Sequence, residues 1–175
     1  PLALIKITMK RLLIFIIISV AYSINTNGQN FTFIGENSYS STEKYTLKSN
    51  SDDENITDLK IVFAKDGENA LLVVSSKLTD VVKIAGKLII YLDDGTVISC
   101  IDRGINDNVD DIAISAYSLT QSELTKIKAS NINTIRYQIV CPICGPLNSW
   151  EGTYSASNIG SSKTDFSEVV IAFYD

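Results

Sequence analysis

Apolar and polar positions alternate with a period of two along much of this chain, which is the pattern of half-buried β-strands. Over residues 44–48, Tyr45 and Leu47 alternate with Thr46 and Lys48. Residues 59–64 and 70–76 are richer still in β-branched and aromatic side chains. They are separated by Lys65-Asp66-Gly67, so they predict a pair of strands joined by a turn. The clearest hairpin lies over 87–102. Leu88-Ile89-Ile90-Tyr91-Leu92 runs into Asp93-Asp94-Gly95, and residues 96–101 return. An Asp-Gly step between two such runs predicts a tight turn, because Gly supplies the positive φ that hairpin turns require. A polar loop over 103–111 precedes a further strand over 112–117. Residues 134–140 place Ile135, Tyr137 and Ile139 on one face, with Arg136 and Gln138 on the other.

Between these strands the period changes. Thr120 stands three residues before Glu123, the spacing of a capping box, and Leu119 can pack on Leu124 as a hydrophobic staple. Leu124 and Ile127 share one face, and Lys126 and Lys128 fall near the end, where cations are favoured. These features predict a helix over about 121–129, with Asn131 as a left-handed cap. The tail over 164–175 fits two patterns. Phe166, Val170 and Phe173 make a helical stripe behind Asp165 and Glu168, whereas Val169-Val170-Ile171 reads equally as a strand. The helical reading is preferred. The expected fold class is α+β, mainly an antiparallel sheet of six or more strands, with the short helix packed on it and a candidate C-terminal helix.

Met9-Lys10-Arg11 followed by a run of apolar residues to Ala21, broken by Ser19, has the layout of a secretory signal peptide. The run is shorter than the roughly 20 residues that span a bilayer. Residues 1–8 precede this Met and read as upstream translated sequence. Cleavage is expected after Ser23 or after Gly28, and an uncleaved anchor helix is the alternative. Residues 29–175 would then form a single β-rich domain, with no transmembrane span in the mature chain. The expected destination is the periplasm, the cell surface or the medium.

Composition narrows the chemistry. The 175 residues include no histidine, which removes Ser-His-Asp and Cys-His nucleophilic sites and every histidine-ligated metal. The formal net charge is -5, and it becomes -8 once residues 1–28 and their three basic side chains are removed. An acidic domain argues against nucleic acid as a partner. No phosphate loop, dinucleotide fingerprint or nucleophile elbow is present, and no cofactor is implied.

The order of Leu92-Asp93-Asp94-Gly95, then Tyr117-x-Leu119-Thr120-x-x-Glu123-Leu124-x-x-Ile127, then Ile132-x-x-Ile135-Arg136-Tyr137 resembles a loose group of small exported proteins of unknown function from Gram-negative bacteria. The resemblance covers about 86–138, a third of the chain. Its motifs are structural, and it implies no activity.

Cys141-Pro142-Ile143-Cys144 is the motif closest to a reactive centre. A CxxC pair can act as a redox dithiol where a helix N-terminus lowers the thiolate pKa. Here Gly145-Pro146-Leu147-Asn148 follows, without helical pattern. A zinc site needs four ligands, and only Cys100 remains. A structural disulfide suits an exported chain better, either Cys141–Cys144 or one of them with Cys100. Asp102, Asp107, Asp110 and Asp111 form a weak calcium candidate that lacks EF-hand spacing. Asp93 and Asp94 read as turn residues rather than as glycosidase carboxylates. Arg136 is a candidate anion ligand, though such an arginine more often pairs with an acid on a neighbouring strand. Trp150 and Tyr154, in a Gly/Ser-rich region, could present an aromatic binding face, although a core role for Trp150 is the simpler reading.

Together these readings favour an exported, non-catalytic domain that binds a ligand or partner or serves as an envelope accessory. A small exported dithiol oxidoreductase using Cys141 and Cys144 is the alternative. A structural assembly subunit offering an unpaired edge strand is the third. The first prediction concerns processing: the intact mass of the exported protein should begin after Ser23 or Gly28. A mature product that retains Met9 would reject the signal-peptide assignment.

Overall fold

The computed structural model describes residues 30–78, 81–145 and 151–175. Residues 1–29, over which a signal peptide is expected, and Trp150 lie outside the described residues. Two long strands, β4 (Leu59–Asp66) and β5 (Asn69–Lys77), pair antiparallel and are buried along nearly their whole length. Both faces of this pair are covered, so their sequences read as continuous apolar runs rather than as alternation. Ile61 and Phe63, opposite Val74 and Leu72, face the main core. Val62 and Ala64, opposite Val73 and Leu71, face a second and smaller core on the reverse side.

The rest of the sheet grows from this pair. On one side β10 (Ile112–Leu119) pairs with β5, and β9 (Asn106–Val109) pairs with β10. On the other side β3 (Tyr45–Ser49) pairs with β4, and then come β12 (Gly152–Ser157), β11 (Ile132–Val140), β7 (Leu88–Leu92) and β8 (Val97–Cys100). The two-residue β6 (Lys83–Ile84) pairs with the end of β11. Every pairing is antiparallel. The sheet curls into a half-barrel that brings β6 and β8 against β10 and β9.

Helix α1 (Gln121–Ala129) buries Leu124 and Ile127, and α2 (Phe166–Tyr174) buries Phe166 and Val170, all in the main core. The α1 capping box is complete. The Glu123 amide donates to Thr120 Oγ1 at 3.3 Å, and Glu123 Oε2 accepts from the Thr120 amide at 2.7 Å. The tail is a helix because Asp165 accepts from the amides of Ser167 and Glu168, and because a side-chain stripe at helical spacing reaches the core. With two short helices on a dominant sheet, the α+β description holds coarsely, and the fold is more β-rich than that label suggests.

The left-handed cap expected at Asn131 is absent. The helix ends at Ser130 in an extended conformation, and Asn131 uses its side chain instead. Its Nδ2 donates to the Thr164 carbonyl and its Oδ1 accepts from the Phe166 amide, which anchors the start of α2. Buried Asn158 shares this task. It donates to the carbonyls of Ile132 and Thr164 and accepts from the Thr164 amide. The stretch expected as a polar loop over 103–111 also contains β9. A two-residue turn at Asp110 and Asp111, both with positive φ, joins it to β10.

The outer core is closed by a hairpin of β1 (Asn30–Ile34) and β2 (Asn37–Ser41). Only Ser40 and Ser41 of β2 pair with β4, after which the hairpin leaves the sheet and lies across its reverse face. Ile34 and Tyr39 pack on Val62, Leu71 and Val73, and the Gly35 amide at the tip donates to Asp107 Oδ2 on β9 at 2.8 Å.

These contacts rank two substitutions. Thr120→Ala should lower stability by about 0.5–2 kcal/mol through loss of the cap. Asn158→Ala should lower it further, because each buried group left unpaired costs about 1–3 kcal/mol. Equilibrium denaturation at unchanged m-value measures both, and the reverse order would contradict the role given to Asn158.

Candidate functional site

Cys141 and Cys144 are joined as a disulfide that closes the turn after β11. The Cys141 amide donates to Glu151 Oε1 at 3.1 Å, which places a carboxylate beside the bridge. A reactive thiolate requires the opposite field, positive and with a helix N-terminus near the sulfur. Residues 146–150, which follow the motif, lie outside the described residues. Cys100 is buried on β8 and does not pair with either. Burial, with the charge of Glu123 as a smaller cause, pushes its thiol up to about 12.

The acidic quartet serves the backbone. Asp102 accepts from the amides of Gly86 and Gly104, both at 2.7 Å. Asp107 accepts from those of Gly35 and Asn108, and Asp110 and Asp111 form the turn just described. Asp94 accepts from the Thr96 amide within its own hairpin turn, and this bond holds its carboxyl below the usual range. Asp93 accepts from Asn133 Nδ2 across to β11. Arg136 is exposed on β11 between Ile89 and Ser155, and it forms no ion pair among the described residues. Tyr154 points inward, its ring 6.2 Å from that of Tyr137. The structure therefore does not bring Arg136 and Tyr154 together with the cysteines as one site.

It assembles a different one. Below α2 an aromatic cluster forms: the rings of Tyr45 and Phe166 meet edge to face at 5.5 Å, and Phe63 lies 6.2 Å from Phe166 and 6.4 Å from Tyr174. The Tyr174 hydroxyl reaches the carbonyls of Ala64 and Leu71, which pins the last turn of α2 to the β4–β5 pair. Lys65 lies over the Phe173 ring at 4.9 Å. The β2–β3 connection, held to β4 by the Thr42–Phe63 hydrogen bonds, and the exposed side of α2 enclose an open groove of about 550 Å³. Tyr45, Val169 and Phe173 give it an apolar floor, and Glu43 and Glu168 stand exposed on opposite walls. Burial, reinforced by the neighbouring Glu43 carboxylate, pushes the Tyr45 hydroxyl up to about 12.

The groove sets two carboxylates, which attract positive charge, beside an aromatic floor that accepts an apolar stem. The sequence pattern did not single out this groove, because its residues come from segments more than 120 positions apart. The one local signal was the aromatic stripe of the tail. No protein-family model, no curated protein and no solved structure matches this chain.

Burial raises four more tyrosines: Tyr117 and Tyr137 to about 12, and Tyr154 and Tyr174 also above the ordinary value. The fold favours their neutral forms, so their contribution to stability is complete below about pH 10, the ordinary tyrosine pKa. It is lost as the pH rises from there through the folded values. Absorbance titration should therefore show Tyr45, Tyr117, Tyr137 and Tyr174 ionising together with alkaline unfolding. Four separate transitions near pH 10 in a still-folded protein would contradict this.

Proposed function

We propose that this chain is an exported, non-catalytic domain that binds a partner or ligand through the groove between the β2–β3 connection and α2. The observation that carries the reading is the pair Glu43 and Glu168 on either side of the Tyr45–Phe173 floor. The chemistry this recognises is a cation on an apolar stem, such as a lysine or arginine side chain of a peptide or a small amphipathic amine. Export is supported by the basic-then-apolar pattern of residues 9–21, and a bridged CxxC suits an oxidising compartment such as the periplasm or the cell exterior. Among the described residues no helix is long and apolar enough to cross a membrane. The dithiol-oxidoreductase alternative draws no support from the Glu151 carboxylate beside Cys141, since negative charge disfavours a thiolate.

The test is a nuclear magnetic resonance titration with lysyl-phenylalaninamide. Shifts should concentrate at the amides of 42–45 and 168–173 and weaken with added salt. Replacing both Glu43 and Glu168 by Gln should weaken binding about tenfold, the equivalent of about 1.4 kcal/mol. An acetylated, uncharged probe that binds equally well, or shifts centred elsewhere, would overturn the assignment.

A further inference from the structure

The β1–β2 hairpin closes the outer core with one face and leaves the other to solvent. On β1, Thr32 and Ile34 point inward, and Phe31 and Phe33 point outward at 55% and 64% exposure. Opposite them on β2 are only Ser40 and Ser38, so nothing in the hairpin shields the rings. β1 is also a sheet edge, paired with β2 and with no other strand among the described residues. Native edges are usually protected by lysine, proline, a bulge or a covering element. β1 reads Asn-Phe-Thr-Phe-Ile, with no charge and no proline, and its register with β2 is unbroken. The edges at the two ends of the curled sheet differ from it. β9 carries Asp107 and lies against β6, and β8 lies against β10.

The register of the hairpin fixes what this edge offers. Its turn is Gly35-Glu36, with Gly35 at a φ of +58°, and the closing pair is Ile34 with Asn37. In a two-residue hairpin the closing pair is hydrogen-bonded, and bonded and non-bonded pairs then alternate. The backbone groups of Ile34, Thr32 and Asn30 are therefore spent on β2. Those of Phe31 and Phe33 point outward: two N–H donors and two carbonyl acceptors.

We propose that this edge pairs with the same edge of a second copy of the chain, antiparallel about a two-fold axis at Thr32. That register sets Phe31 opposite Phe33 of the other copy and Phe33 opposite its Phe31. All four outward groups on each strand then find partners. The same alignment puts the four phenyl rings on one face of a four-stranded ribbon as two adjacent cross-strand pairs, and cross-strand aromatic pairs are favourable. The strand is uncharged, so self-pairing brings no like charges together along it. Two half-exposed phenylalanines bury roughly 250 Å² on each copy, well under the roughly 800 Å² per partner of a standard stable interface. The dimer is accordingly weak, in the micromolar range or above, and forms with concentration.

This inference does not depend on the groove, and the experiment separates the two. Sedimentation of the full chain over about 5–500 µM should show a reversible monomer–dimer equilibrium. Phe33→Pro removes an outward donor without breaking a β1–β2 hydrogen bond, and it should abolish the dimer. So should the double substitution Phe31→Ser/Phe33→Ser. Val97→Ser on the β8 edge should leave the dimer unchanged. As a positive readout, Thr32→Cys should give a covalent dimer on mild oxidation, since non-hydrogen-bonded antiparallel pairs bring Cα atoms to about 4.5 Å. The new thiol is the accessible one, with Cys100 buried and Cys141 bridged to Cys144. A chain that remains monomeric across this range would overturn the proposal. A dimer insensitive to Phe33→Pro, or no faster cross-linking at Thr32 than at a Ser38→Cys control, would also overturn it.

Discussion

A pair of strands buried on both faces needs two separate covers, and in this protein β4 and β5 are that pair. The concave cover is the rest of the curled sheet with Phe166 of α2 and Leu124 and Ile127 of α1. The convex cover is the hairpin that brings Ile34 and Tyr39 over Val62 and Val73. Removing either cover exposes several large aliphatic side chains at once, each worth about 1.5–3 kcal/mol of burial. This explains why an otherwise peripheral hairpin bends out of the sheet to reach Asp107 on the far side. It also explains why α2 is held so firmly, by Asn131 and Asn158 at its start and by the Tyr174 hydroxyl at its end.

The surface features arise from how those covers are attached. The β2–β3 connection stays on one edge of β4, where the Thr42 amide donates to the Phe63 carbonyl between the β2 and β3 pairings, and the space between this edge and α2 is the acidic, aromatic groove. The hairpin uses one face for the core, so Phe31 and Phe33 are outward by the strict alternation of a strand. The outward phenylalanines lie outside both cores, whereas the groove floor is shared with the main one: Tyr45, Val169 and Phe173 pack against it. Phe31 and Phe33 face water, at 55% and 64% exposure.

What could be read from the sequence were the elements whose signal is local. The 88–92 hairpin has its Asp-Gly turn, α1 has Thr120 and Glu123, and β11 has Ile135, Tyr137 and Ile139 on one face. The elements missed were those set by distant partners. β12 is a Gly/Ser/Ala strand with little propensity of its own, ordered by β11 on one side and β3 on the other. β9 looked like a loop because its turn is made by two aspartates in the left-handed region, where glycine is the usual mark. Asn131 was misjudged because Asn suits a left-handed cap locally, while its actual bonds run to Thr164 and Phe166. The cysteine motif drew attention by its chemistry, yet the groove depends on residues 43, 45, 168 and 173, which no spacing rule connects.

The seam between β3 and β12 has a consequence in time. The two halves of the sheet meet where Lys48 pairs with Ser157 and Ser49 with Ala156, and Asn50 reaches the hydroxyls of Ser155 and Ser157. Chain segments separated by more than a hundred residues must therefore come together before the half-barrel exists. Loops of that length close late, and topologies dominated by such contacts fold slowly. A ribosome extending this chain emits β3 more than a hundred residues before β12, so until β12 appears the nascent protein has no finished sheet to collapse into. For a chain exported as proposed here, that delay keeps the polypeptide threadable until it has left the compartment in which it was made.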